Sequence, residues 1–155
     1  ADSVIAFYDA KYTYNFWRPV TAIRAADPNV SPGVVPNPSW LPEVGNTTPD
    51  PSYPGAHAVL SRAAASVLSS FFKSDLFEFT VTSEVLPQAE RRFTSFSAAA
   101  REATLSRVFA GVHFEFDLTS GERLGCDVAE FVLERFAHVH HDRDERDEDE
   151  DGESK

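Results

Sequence analysis

Methionine is absent from the 155 residues, cysteine occurs once, and lysine occurs only at positions 11, 73 and 155. A single cysteine, Cys126, excludes an intrachain disulfide and reads most simply as a small core residue on an amphipathic helix. The missing methionine, and a start on helix-like ADSVIAFYDAKY with no signal peptide, fit a processed chain or a piece of a longer one. No apolar run approaches the roughly 18–20 residues that cross a bilayer, so no membrane span is expected. Positive charge is scarce too: Lys and Arg number 14 against 25 Asp and Glu, a net charge of −11. Binding to nucleic acid needs a basic face, which this balance excludes as a general activity. Much of the excess lies in residues 142–155, where nine acids face three bases. That composition predicts an acidic disordered tail behind a domain of residues 1–141.

What remains is globular, with 42% hydrophobic residues, enough for one domain with a sizeable core. Ile5, Tyr8 and Tyr12 recur at helical spacing within residues 2–13. The break falls at Arg18, and Pro19 suits the first turn of a second short helix. Eight of the ten prolines lie between Asp27 and Pro54, which predicts one long irregular loop. Two sequons in it, at Asn29 and Asn46, are expected on the surface of a secreted protein. After Pro54, the residues His57, Leu60, Ala64, Val67, Leu68 and Phe71 share one helical face and predict a buried, alanine-rich helix. FEFTVTS, residues 77–83, alternates like a strand but has no evident partner, so an extended connector is expected. A third long helix is capped by Ser95 or Ser97 and loosened at Gly111. A final one carries Leu124, Val128, Phe131, Val132 and Phe136 on its apolar face. The fold class is all-α, a helical bundle with one long proline-rich loop.

Chemistry-bearing residues cluster in three places. Lys11 and Arg18 flank the aromatic stretch YTYNFW, where a lysine snorkelling over rings is the plain reading. His57 opens a helix, where it could bond a core carboxylate or stand beside amides that receive an anion. Arg107, His113 and Asp117 fall within SRVFAGVHFEFD, which read alone is a helix end with a buried histidine and a charge pair. Together, three cations and two histidines in apolar settings need a shared counter-charge, because each buried alone would be costly. An oxyanion would meet that need. His138, His140 and His141 read as a helix end running into a polar tail, and no metal is assigned there.

KYTYNFWRP, SYPGAHA and SRVFAGVHFEFD resemble the three signature blocks of the vanadium-dependent haloperoxidase and type 2 phosphatidic acid phosphatase superfamily. The family pattern is Lys, six residues, Arg-Pro; then Pro-Ser-Gly-His; then Ser-Arg, five residues, His, three residues, Asp. It is matched at Lys11, Arg18, Pro19, Pro54, His57, Ser106, Arg107, His113 and Asp117. The aromatic surroundings resemble the soluble, haloperoxidase-like branch. The resemblance implies a bundle of that family's type, represented by its C-terminal part, with earlier helices supplied by a longer chain, a companion chain or a homodimer. It implies that Lys11, Arg18 and Arg107 clamp the oxygens of vanadate or phosphate. His113 would bond the vanadium, or attack a phosphoryl group, with Asp117 orienting it. His57 would be the acid–base residue.

The implied reaction is halide oxidation by hydrogen peroxide with vanadate as cofactor and Lewis acid. The rival is hydrolysis of a phosphomonoester through a phosphohistidine. One block departs from the pattern: Pro54-Gly55-Ala56-His57 lacks the serine hydroxyl, leaving the amides of Gly55 and Ala56 as the expected donors. Losing one hydrogen bond to a charged group costs roughly 1.5–3 kcal/mol of anion binding. That departure favours a third reading, a non-catalytic storage, defence or binding protein. A fourth, from another class, is a helical interaction module that docks its acidic tail on basic partners.

Overall fold

The computed structural model describes residues 1–30 and 32–151, with side chains described as far as residue 136. Helix α1 spans Asp2–Tyr14, with Asp2 in its first turn, where a negative charge suits the helix dipole. It stops at Asn15, whose φ of 46° is a left-handed conformation that asparagine tolerates, and the Asn15 N–H closes on the Lys11 carbonyl. Helix α2, Pro19–Arg24, starts with proline at its first position. Residues 25–55 then run without helix or strand among the described residues, tied back by the Ser52 N–H on the Phe16 carbonyl at 2.8 Å.

Helix α3 spans Ala56–Phe71, and after it the chain forms two strands, β1 Leu76–Thr82 and β2 Glu90–Ser95. The strands pair antiparallel in a two-stranded sheet, with Phe79 opposite Phe93 and Thr80 opposite Arg92. The all-α expectation is corrected accordingly: the fold is a helical bundle with a small hairpin. The partner of FEFTVTS is ERRFTS, whose single large apolar residue gives too little alternation to mark it as a strand. Its pairing comes from Phe93 against Phe79, with ring centroids 5.5 Å apart, and from the Glu78–Arg92 ion pair at 2.6 Å. Helix α4, Phe96–Phe109, is capped by Ser95, whose Oγ accepts from the Ala98 N–H at 3.0 Å. Helix α5 starts at Glu115 and so takes Asp117 into its first turn. Its backbone runs on to Asp151, into the segment expected to be a disordered tail. Residues with nothing to bury can still continue a helix already begun, because propagation costs far less than nucleation. His138, His140 and His141 lie outside the residues whose side chains are described.

The buried faces differ from the predicted ones. His57, Leu60, Ala64, Val67, Leu68 and Phe71 of α3 are exposed, and the helix instead buries Ala58, Val59, Ala63 and Ala65. On α5, Phe131 and Phe136 are exposed while Gly121, Gly125 and Ala129 are buried. The physical reason is that α3 and α5 pack through their smallest residues. A Cβ added at Gly121 would stand 2.7 Å from the Gly55 carbonyl oxygen, and one at Gly125 would stand 2.5 Å from that of Val59. Two helix backbones can approach so closely only where side chains are absent. Cys126 is half-buried beside this seam and accepts from Arg62 Nε at 2.9 Å.

The seam makes a direct prediction. Gly125→Ala should destabilise the chain by about 1–3 kcal/mol through overpacking against backbone, read as a lower urea midpoint with an unchanged slope.

Candidate functional site

The α3–α5 seam holds the start of α3 against the first turn of α5. There the Gly55 N–H donates to the Asp117 carbonyl at 2.9 Å. Close by is a pocket of about 210 Å³ whose walls include Lys11, Arg18, Ala56, His57, Arg107 and His113. Residues separated by almost the length of the domain thus converge on one space. Of the predicted site residues, Asp117 stands behind His113, and Gly55 does not line the pocket. The Gly55 amide, expected as an anion donor, is taken by Asp117, which is a correction. A Cβ at position 55 would lie 3.0 Å from Leu118 Cδ2, so a serine there would press on a buried leucine. Ala56 is the first residue of α3, where backbone N–H groups have no intrahelical partner.

His113 is buried and doubly held. Its Nδ1 is 3.0 Å from Asp117 Oδ2, and its Nε2 is 3.1 Å from Arg18 Nη1. A guanidinium only donates, so Nε2 must accept and the ring proton sits on Nδ1, directed at Asp117. Asp117 is wholly buried, and its Oδ2 also accepts from Ser52 Oγ at 2.5 Å and from the Phe114 N–H at 3.0 Å. The imidazole therefore keeps Nε2 unprotonated, the form a metal centre requires, with its lone pair here accepting from Arg18, a bond that a metal centre would have to displace. Burial lowers the His113 pKa, Asp117 works against that, and Arg18 adds to it. His57, on the exposed rim of the pocket, also has its pKa lowered, by partial desolvation and by the charges of Arg107 and His113.

The cations have acquired a partner that the sequence did not disclose. Lys11 is fully buried and donates to the carbonyls of Pro51 and, at 3.3 Å, of Ser52, while its Nζ pairs with Asp50 Oδ2 at 2.9 Å. Arg18 Nε donates to the Asp50 carbonyl and Nη1 to the Val112 carbonyl, both at 2.9 Å. Arg18 Nη2 donates to Thr48 Oγ1 at 2.9 Å and pairs with Asp50 Oδ1 at 3.1 Å. The counter-charge expected from an oxyanion is thus supplied, for two of the three cations, by Asp50 on the proline-rich loop. Only the crowding of prolines pointed to this loop, and nothing in its spacing singled out Thr48, Asp50 or Ser52. Burial alone would raise the Asp50 pKa; the Thr48 hydroxyl, the Lys11 ammonium and the Arg18 charge outweigh it and hold the carboxyl at about 2. Burial lowers the Lys11 pKa, against hydrogen bonding and charge from Asp50.

A small tetrahedral oxyanion fits this donor set. Arg107 Nε is buried with no hydrogen-bond partner among the described residues, and Arg107 lines the pocket. An orphaned guanidinium N–H on the same pocket as an unprotonated imidazole nitrogen suits an ion that offers both oxygens and a Lewis-acidic centre. Among the described residues no group of three or more His, Cys, Asp or Glu is arranged around a metal cation. An oxyanion site needs none, since the oxygens arrive with the ion.

A family model described as the "VCPO second helical-bundle domain" matches residues 1–142. A bacterial vanadium-dependent iodoperoxidase crystal structure is similar at 36% identity and a TM-score of 0.73, over 85% of this chain and 30% of that one. A holo-type bacterial vanadium-dependent chloroperoxidase is 26% identical with a TM-score of 0.62, over 84% of this chain and 33% of its own. An apo-type structure of such a chloroperoxidase shares the fold, at 24% identity and a TM-score of 0.67 over 86% of this chain and 34% of its own. The chain thus spans about a third of the length of these structures. No curated protein matches it.

The site's charges fix a pH dependence of stability. Both histidines titrate below the ordinary 6.5 when folded, so the unfolded chain takes up their protons first and stability should fall as pH drops below about 6.5. Asp50 contributes fully above the ordinary 3.8 and loses its contribution as pH falls towards about 2, a change of about 2 kcal/mol. Urea titrations between pH 7 and pH 2 should show both declines, and Asp50→Asn should shrink the lower one, leaving the part due to Asp75, whose carboxyl Ser97 and Ser69 also hold below its ordinary range.

Proposed function

The chain belongs to the vanadium haloperoxidase and type 2 phosphatidic acid phosphatase superfamily, and on that premise we propose that its pocket binds vanadate and supports halide oxidation by hydrogen peroxide. The observation carrying this reading is the meeting of Lys11, Arg18, His57, Arg107 and His113 on one small pocket, with the His113 Nε2 unprotonated. Arg107, Arg18 and Lys11 would hold the oxygens, and His113 would bond the vanadium. Ala56, at the start of α3, would add its backbone N–H. Bound vanadate supplies Lewis acidity without changing oxidation state. The chain's own residues do the rest. Asp117 keeps the His113 proton on Nδ1, and neutral His57 is ready to accept a proton at the pocket wall. Two of the similar structures are named for oxidation of iodide or chloride, which makes halide and hydrogen peroxide the substrates to test first. Both sequon asparagines are exposed, as glycosylation in a secretory compartment would need.

A second reading, phosphomonoester hydrolysis, uses the same donors with His113 Nε2 as nucleophile. It draws support from that unprotonated nitrogen and from the Arg107 N–H left without a partner.

The two are separated by assaying the vanadate-loaded protein for peroxide-dependent iodide and bromide oxidation, beside a phosphomonoester assay without vanadate. Arg107→Ala should weaken vanadate binding about 10- to 100-fold, from one lost charge-assisted hydrogen bond. Equilibrium dialysis with orthovanadate reads this directly, and unchanged affinity in Arg107→Ala removes the site assignment.

A further inference from the structure

We propose that Asp50 is a resident competitor for the anion: its carboxylate occupies the Lys11–Arg18 half of the clamp, and an incoming oxyanion must displace it to reach all three cations. The proposal rests on reading the pocket as an oxyanion site.

Its basis is a donor count. Arg18 has five N–H donors, and each has a protein acceptor: two atoms of Asp50, Thr48, the Val112 carbonyl and His113 Nε2. Lys11 has three, directed at Pro51, Ser52 and Asp50. Arg107 Nε, by contrast, is buried with no partner among the described residues. The clamp is therefore closed on itself on two sides and open on one. The groups holding Arg18 and Lys11 are neutral except one. A carboxylate offers two oxygens to two cations much as a tetrahedral oxyanion does, and it cannot share them with a second anion without like-charge repulsion. Asp50 is also the member able to leave. Its side chain is 22% exposed, whereas those of Lys11 and Arg18 are 0% and 9% exposed, so it can turn towards water while they stay.

The consequence concerns affinity and selection. With Asp50 in place the three cations carry one internal negative charge, and the anion's binding free energy is reduced by the cost of breaking two ion pairs. An asparagine keeps the shape and removes the charge.

The test is calorimetric titration of inorganic phosphate and of orthovanadate into the whole chain as wild type, Asp50→Asn and Asp50→Glu. Asp50→Asn should bind both ions more tightly, on the order of tenfold or more, and Asp50→Glu should stay near wild type. Equal or weaker binding by Asp50→Asn, with wild type still binding, overturns the competitor role and leaves the pocket assignment standing. No binding by wild type or either variant overturns the pocket assignment and this proposal with it. Because Asp50→Asn leaves two buried cations less compensated and can fail to fold, a second measurement uses wild type alone. A crystal structure with orthovanadate should show the Asp50 carboxylate withdrawn from Lys11 and Arg18. Both ion pairs intact beside a bound anion would overturn the proposal.

Discussion

A wholly buried ammonium group is the constraint around which this domain is arranged. Lys11 lies on α1, is removed from water and retains its donors, so some part of the chain must bring it an anion and carbonyl oxygens. The loop of residues 48–52 does this, with the Asp50 carboxylate and the carbonyls of Pro51 and Ser52. Because the same carboxylate reaches Arg18, one residue fastens the loop to α1 and to the start of α2 together. The next residues of that loop, from Ser52 onward, support Asp117 and lead into α3. A segment with no helix or strand is thus held by charge and hydrogen bonds rather than by a repeating backbone pattern.

The second determinant is the glycine-lined contact between α3 and α5. Large side chains would hold these helices apart. Gly121 and Gly125 allow them to approach until backbone meets backbone, and the first turn of α5 then lies on Gly55. The two histidine-bearing segments are therefore located by main chain, which cannot change rotamer. The imidazole of His113 gains its orientation from Asp117 four residues later, and both side chains are almost completely enclosed.

The residues around the pocket were legible in the sequence because three blocks, holding Lys11 and Arg18, then His57, then Arg107, His113 and Asp117, resemble a family pattern; read singly, each had a plain structural reading. The helices were legible for a different reason, the periodicity of their apolar residues. Thr48, Asp50 and Ser52 were not, because an irregular loop has no periodicity to relate a side chain to a site. The inward faces of α3 and α5 were misread since periodicity arguments assume that the bulkiest apolar residues face the core. Here small residues make the contact and leave Leu60, Leu68, Phe71 and Phe131 outside. The hairpin went unrecognised because β2 carries arginines where alternation would have marked a strand.

Leu118 gives the glycine at position 55 a wider meaning. Its methyl group fills the room a serine Cβ would enter, and the neighbouring Asp117 carbonyl has taken the amide. The two positions are therefore coupled by contact: a side chain added at 55 asks Leu118 to give way, so a hydroxyl there is accommodated more readily beside a smaller residue at 118.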